Sequence, residues 1–176
     1  SLGSLAFNRF PITSDDYAYP SGVVGRVAVS NKITVYAQPN WDSRVVGYMN
    51  LKDELVNIYY EVTPDTGPAY NPLWYRVWGG FIHSAYLQRV KFRFNQPLST
   101  IPEAGQLCEV TVPYSEIYKK DIYHGWQRYN RLYYETTHWV VGIDEGPDKK
   151  PWYRIHDNGL EFNVPAEHLR PVPDEE

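Results

Sequence analysis

Cys108 is the only thiol in this 176-residue chain, and the five histidines stand at positions 83, 124, 138, 156 and 168. A nucleophilic thiolate needs a histidine or another cation beside it to lower its pKa. The stretch Gly105-Gln106-Leu107-Cys108-Glu109-Val110 offers none and reads as a strand, so Cys108 is expected to be a small buried apolar residue. A lone cysteine excludes an internal disulfide. Neither paired cysteines nor H-E-x-x-H is present to bind zinc, and no G-x-x-x-x-G-K-[ST] or G-x-G-x-x-G loop is present to cradle phosphate. Asp144, Glu145 and Asp148 lie together, as do Asp15 and Asp16. Calcium needs several oxygens converging on one centre, and an aspartate in a turn bonds its own backbone two residues on. No metal, cofactor or catalytic residue is expected, and the chain is read as not an enzyme. His83 is read as structural, bonded to a backbone group, with a ligand contact as the alternative.

The side chains left to do chemistry are aromatic: 16 Tyr, 6 Trp and 6 Phe. Rings with a polar handle hold peptides and sugars by stacking plus a hydrogen bond. The candidate ligand-binding rings flank loops: Tyr36, Trp41, Tyr70 and Trp78 in the first half, then Tyr114, Tyr118, Tyr123, Trp126 and Tyr129 in the second. Loops on a rigid scaffold commonly carry function, and a peptide laid in a shallow groove between them is a known mode. The competing reading is that these rings fill an interface between two small domains, which such domains often need for stability.

The net charge is −4 and the pI about 5.7, with lysine pairs only at 119–120 and 149–150. A general nucleic-acid binder would present a basic face, so none is expected as a partner. No run of 18 apolar residues is present to form a transmembrane helix. The first residues lack the basic and apolar regions of a signal peptide, although a processed chain would look the same. An apolar content of 43% excludes disorder as the main state, and the abundance of Val, Ile, Thr and Tyr favours strands.

The elements that must position the rings come in two copies. Trp74-Tyr75-Arg76-Val77 returns as Trp152-Tyr153-Arg154-Ile155, at an offset of 78. Phe81 to Val90 returns as Phe162 to Val172, and Gly25 to Val29 matches Gly105 to Glu109 loosely, at an offset of 80. Val56, Ile58, Tyr60 and Val62 alternate with polar partners as one half-buried strand. Leu132 to Ile143 reads as a long strand, residues 63–68 and 144–148 as turns, and residues 84–87 and 165–169 as single 3₁₀ turns. Residues 115–124 contain neither Pro nor Gly and predict a short helix capped by Ser115. Several short strands in about 65 residues suggest a small closed barrel, because closure hides the sheet edges. Residues 1–24 are read as an irregular N-terminal segment, 25–92 as the first barrel, 93–104 as a linker and 105–176 as the second barrel.

Val35-Tyr36, Pro39, Val45-Val46-Gly47, Asp53-Glu54-Leu55, Trp74 to Val77 and Phe81 to Leu87 together resemble bacterial SH3-like (SH3b) domains. The resemblance is fainter over 105–172. The resemblance implies an all-β fold of two tandem small SH3-like barrels with little helix. With Arg131-Leu132-Tyr133-Tyr134 and Pro165-Ala166-Glu167-His168-Leu169-Arg170, the arrangement resembles the N-terminal region of Chloroflexota-type cell-wall L,D-transpeptidases. The Ser-His-Gly-Cys motif of that family's catalytic domain is absent here, and Cys108 is not in its context, so no catalytic residue carries over. The resemblance implies an exported, cell-envelope or extracellular protein. Its first reading is a non-catalytic binding or targeting module for peptidoglycan peptide or glycan. Two alternatives stay open. One is a structural subunit of an envelope assembly, contacting another envelope protein or a second copy through exposed aromatics. The other is an accessory region of a longer L,D-transpeptidase.

Overall fold

The computed structural model describes residues 23–49, 51–65 and 69–173, and the chain divides into two compact units between Val90 and Lys91. The described residues are all-β, with two single 3₁₀ turns. No helix is long and apolar enough to cross a membrane. Most of the expected N-terminal segment lies outside the described residues, including Asp15 and Asp16. So does the end of the turn at 63–68.

Unit one contains β1 (Val23–Val27), β2 (Ile33–Tyr36), β3 (Val45–Met49), β4 (Leu55–Ile58), β5 (Tyr60–Val62), β6 (Trp74–Val77), β7 (Gly80–His83) and β8 (Leu87–Val90). They pair antiparallel as a three-stranded sheet, β4-β1-β8, and a five-stranded sheet, β3-β2-β7-β6-β5. The β-branched residues account for the strands. Ile33 and Val35 of β2 are buried while Thr34 and Tyr36 are half-buried, the alternation of a one-sided strand. The core gathers Val27, Ile33, Val35, Met49, Val56, Ile58, Tyr75, Val77, Ile82 and Leu87. The single strand expected across residues 56–62 is two strands in different sheets. The chain changes sheet at Tyr59, whose N–H donates to the Arg76 carbonyl at 2.9 Å.

Unit two contains β9 (Gln106–Val110), β10 (Tyr114–Asp121), β11 (Gly125–Tyr133), β12 (Thr137–Glu145), β13 (Pro151–Asp157), β14 (Leu160–Pro165) and β15 (Leu169–Pro171). They form one seven-stranded sheet, β11-β10-β14-β13-β12-β9-β15. Unit one has the same order once β5 and β4 are joined end to end, since β12 pairs with β9 through residues 137–140 and with β13 through 140–145. The ladder registers also correct the repeat at its start. Val27 faces Leu87 and Val110 faces Leu169, so Val110, three positions beyond the loose match, is the counterpart of Val27. The pairing ladders stay open among the described residues, so the closure expected of a barrel is absent from the hydrogen bonding.

Two further expectations are overturned here. Residues 115–124 form no helix; residues 115–121 lie in β10, paired with β11. A register shift between Ile117 and Tyr118 buries both residues in succession, which disguises the two-residue period of a strand. The long strand expected from Leu132 to Ile143 is broken by a turn at residues 134–136, where Glu135 takes a positive φ of 63°.

The core of unit two includes Cys108, Val110, Ile117, Val140, Tyr153, Ile155, Val164 and Leu169. Phe92, Phe94, Leu98 and Ile101 pack against it. Residues read as a linker are thus part of this unit. The Arg93 N–H donates to Thr111 O at 2.9 Å, the Asn95 N–H to Glu167 O at 2.8 Å and the Leu98 N–H to Tyr153 Oη at 2.8 Å.

Candidate functional site

Each unit builds a group of three rings around one wholly buried tryptophan. Trp74 opens β6 opposite His83, and Trp152 lies in β13 opposite Pro165. Tyr36 of β2 faces Phe81 of β7, and Tyr118 of β10 faces Asn163 of β14. The two tyrosines therefore occupy one repeated position, although sequence alignment gives neither of them a counterpart. Tyr36 meets Trp74 edge to face at 5.7 Å and 84°, and Tyr118 meets Trp152 at 5.4 Å and 78°. A second tryptophan completes each group. Trp41, from the β2–β3 loop, lies 4.7 Å from Trp74, and Trp126 of β11 lies 6.0 Å from Trp152. Trp74 and Trp152 have no exposed surface, whereas Trp41 is 44% exposed and Trp126 half-buried. The outer indole in each unit thus lies against a buried aromatic floor and remains partly open to solvent.

The two floors are held differently: among the described residues the buried Trp74 Nε1 has no hydrogen-bond partner, and hydrogen bonds fix its neighbour His83 instead. His83 Nδ1 accepts from the Ala85 N–H at 3.2 Å, which leaves Nε2 to donate to Asn71 O at 2.9 Å and sets the neutral tautomer. His83 is thereby a structural residue, and its ring also lies 4.9 Å from Trp41. Trp152 Nε1 donates to Asp148 Oδ1 at 2.8 Å. Burial first, then the carboxylate of Glu116, pushes the Tyr118 phenol well above its usual range, so it stays protonated and able to donate.

The other predicted rings lie elsewhere. Tyr114 is buried with the Arg131 guanidinium 4.3 Å above it. Tyr129 is 52% exposed and carries Lys119 Nζ 4.1 Å from its ring. Tyr70 is 90% exposed, and Trp78 is 55% exposed in the β6–β7 turn. Tyr123, 84% exposed, occupies the tip of the β10–β11 hairpin. There Asp121 Oδ1 accepts from the N–H groups of Tyr123 and His124 at 2.8 Å, and these bonds hold its carboxyl below the usual range.

Sequence reasoning missed a charged cleft beside Trp126. It encloses about 470 Å³ between Lys120, Trp126, Asp144, Glu145, Arg154, Glu161 and Asn163. These residues come from five strands, β10 to β14. The available signal was Arg154, which repeats Arg76, beside residues that do not repeat. Asp144 Oδ2 accepts from Asn163 Nδ2 at 2.8 Å and lies 3.8 Å from Arg154 Nε. Arg154 Nε is buried and makes no hydrogen bond among the described residues. Among the described residues no group of three or more His, Cys, Asp or Glu is placed to hold a metal ion.

No family model and no curated protein matches the chain. Solved structures similar to it include NlpC1 and NlpC2 from Trichomonas vaginalis. NlpC1 is 17% identical with a TM-score of 0.29, over 88% of this chain and 47% of that one. NlpC2 is also 17% identical with a TM-score of 0.29, over 87% of this chain and 49% of that one. The chain thus spans about half the length of each. The expectation that this chain is not an enzyme is withdrawn: the solved structures it aligns with are NlpC1 and NlpC2. A TM-score of 0.29 assigns no activity to this chain in its place.

Proposed function

We propose that the chain is a tandem pair of SH3-like modules, divided between Val90 and Lys91, that binds the cell envelope of an exporting bacterium. The ligand would be peptidoglycan, as stem peptide or glycan, held against the outer tryptophan of each unit. The observation that carries this reading is the repeated ring group, Tyr36-Trp74-Trp41 and Tyr118-Trp152-Trp126. Core packing is already served by the inner tryptophan, while the partly open outer ring offers a stacking surface at low entropy cost. The strand order common to the two units supports the tandem SH3-like reading, as does the resemblance of Trp74 to Val77 and Phe81 to Leu87 to that family. Two weak sites on one chain gain avidity on a polymeric surface.

The test is co-sedimentation of the purified chain with cell-wall sacculi. The wild-type chain should pellet. Trp41→Ala and Trp126→Ala should each weaken binding, and the double variant should stay in the supernatant with an unchanged β-type circular dichroism spectrum. A wild-type chain that stays in solution would refute the reading. A double variant that pellets fully would refute the role of the rings.

A further inference from the structure

The charged cleft of unit two exists because two rings of unit one have been replaced. In unit one, Arg76 of β6 lies in register between Tyr60 of β5 and Phe81 of β7. Its guanidinium sits 5.0 Å above the Phe81 ring, and Tyr60 meets that ring at 6.3 Å, so the position is filled and apolar. In unit two, Arg154 lies in register between Gly142 of β12 and Asn163 of β14. A Cβ on Gly142 would press into the Arg154 guanidinium. The glycine thus makes room for the arginine on the cleft wall, and no ring covers it.

The charges there are unevenly used. Glu145 pairs with Lys149 at 3.2 Å, Glu161 lies 3.8 Å from His156, and Asp144 accepts from Asn163. The two exposed pairs, Glu145 with Lys149 and Glu161 with His156, are weak and exchange easily. The cations have less. Among the described residues Arg154 has only Asp144, at 3.8 Å, and Lys120 Nζ lies 5.6 Å from the Trp126 ring. Lys120 and Trp126 face each other across the β10–β11 ladder, so the ammonium and the indole border the same opening.

We infer that this cleft binds a short zwitterionic peptide, with a free ammonium at one end and a free carboxylate at the other, through Lys120, Arg154 and Trp126. Its carboxylate lies between Lys120 and Arg154, where a guanidinium fork suits it. Its ammonium reaches Glu145 and Glu161 at the rim, and the peptide backbone between the two charges lies on Trp126. The inference rests on the envelope-binding reading for its biological setting and assigns peptide rather than glycan to unit two.

The probe is diglycine, titrated into the isotopically labelled full chain while the Trp126 indole N–H signal is followed by nuclear magnetic resonance. N-acetyl-diglycine, diglycine amide and N-acetylglucosamine serve as comparison ligands. Diglycine should shift the signal saturably, and each blocked form should bind about tenfold or more weakly, since each loses one charge-assisted contact. Lys120→Gln, an exposed substitution, should weaken diglycine binding by about tenfold. Asn163→Phe, which copies unit one, should abolish it. Equal responses to diglycine and its blocked forms, a response to N-acetylglucosamine alone, or an unaffected Lys120→Gln would each overturn the inference. Sedimentation with sacculi reports on the broader reading separately. A chain that pellets but ignores diglycine loses only this cleft, and one that binds diglycine but never pellets loses only the wall.

Discussion

Arg26→Met should cost the first unit much more stability than Arg170→Met costs the second. The two arginines belong to one repeated ladder: Arg26 faces Gln88, and Glu109 faces Arg170. Each makes an ion pair at 2.6 Å, Arg26 with Asp53 and Arg170 with Glu109, but in different surroundings. The Arg26 and Asp53 side chains are 9% and 5% exposed, whereas those of Arg170 and Glu109 are 31% and 20% exposed. Gln88 Oε1 also accepts from Arg26 Nη2 at 2.8 Å and Nε at 3.3 Å. Asp53 cannot easily turn outward, because its φ is 68° and its N–H donates to Val27 O at 2.9 Å. Removing the cation from a buried pair costs about 3–5 kcal/mol, since a carboxylate loses its partner away from water. A half-wet pair is worth about 1 kcal/mol or less. In a domain of this size 1 kcal/mol moves the melting temperature by about 4–8 °C, so the first unit should melt at least about 12 °C lower and the second about 8 °C lower at most. Hydrogen exchange under mild denaturant assigns the loss, by reading peptides from residues 23–90 apart from those of 91–173. Adding Asp53→Asn to Arg26→Met should recover about 2 kcal/mol, since asparagine tolerates the positive φ and brings no charge. Equal losses in the two units, or no recovery in the double variant, would refute the reasoning.

Three other outcomes follow from burial and close contact. Burial pushes the Cys108 thiol up to about 11 from an ordinary 9.0, so its alkylation at pH 8 should be about 100-fold slower in the folded than in the unfolded chain. The folded state keeps that proton while the unfolded state loses it. Stability should therefore fall by about 2 kcal/mol as pH rises from 9 towards 11. Cys108→Ala should lack this component, and parallel pH profiles for the two proteins would contradict it. Gly80→Ala would put a Cβ 2.5 Å from the Tyr36 carbonyl oxygen, a backbone atom that cannot swing aside, and should cost about 2 kcal/mol or more in urea unfolding. Gly142→Ala meets only the mobile end of Arg154 and should cost less than about 1 kcal/mol, so the reverse order would be inconsistent with these packings. Trp152→Ala should cost about 3–5 kcal/mol and Trp126→Ala less than about 1.5 kcal/mol, measured the same way; comparable losses would mean that Trp126 is a core residue.

Local chemistry made much of the fold legible. Trp74 and Trp152 recur in the sequence at one position of the repeat and are both wholly buried, and the 3₁₀ turns after His83 and Pro165 lie where their sequences suggested. Strand signals failed where the period breaks. The register shift at Ile117 and Tyr118 made β10 resemble a helix, and the change of sheet at Tyr59 is invisible in an unbroken alternation. The counterpart relation of Tyr36 and Tyr118 was hidden because the connections to their tryptophans differ in length, 38 residues in one unit and 34 in the other. The cleft could not be foreseen from spacing, because Lys120, Asp144, Arg154 and Asn163 meet only through cross-strand pairing. The sequence match of Phe81 with Phe162 is off by one: the register puts Asn163 in the place of Phe81 and Gly142 in the place of Tyr60, and only the register shows those two rings to be lost.

The swapped polarity of the β1–β8 and β9–β15 pairs bears on how two related sequences fold within one chain without confusion. Tandem repeats risk exchanging strands while they fold. If β15 docked on β1, Arg26 would face Arg170, and two guanidinium groups would meet where the native sheet pairs Arg26 with Gln88. If β8 docked on β9, Glu109 would lose its cation and gain only an amide. Each terminal strand is therefore addressed to its own half of the chain, and a single pair of charges acts as a proofreading device against hybrid sheets.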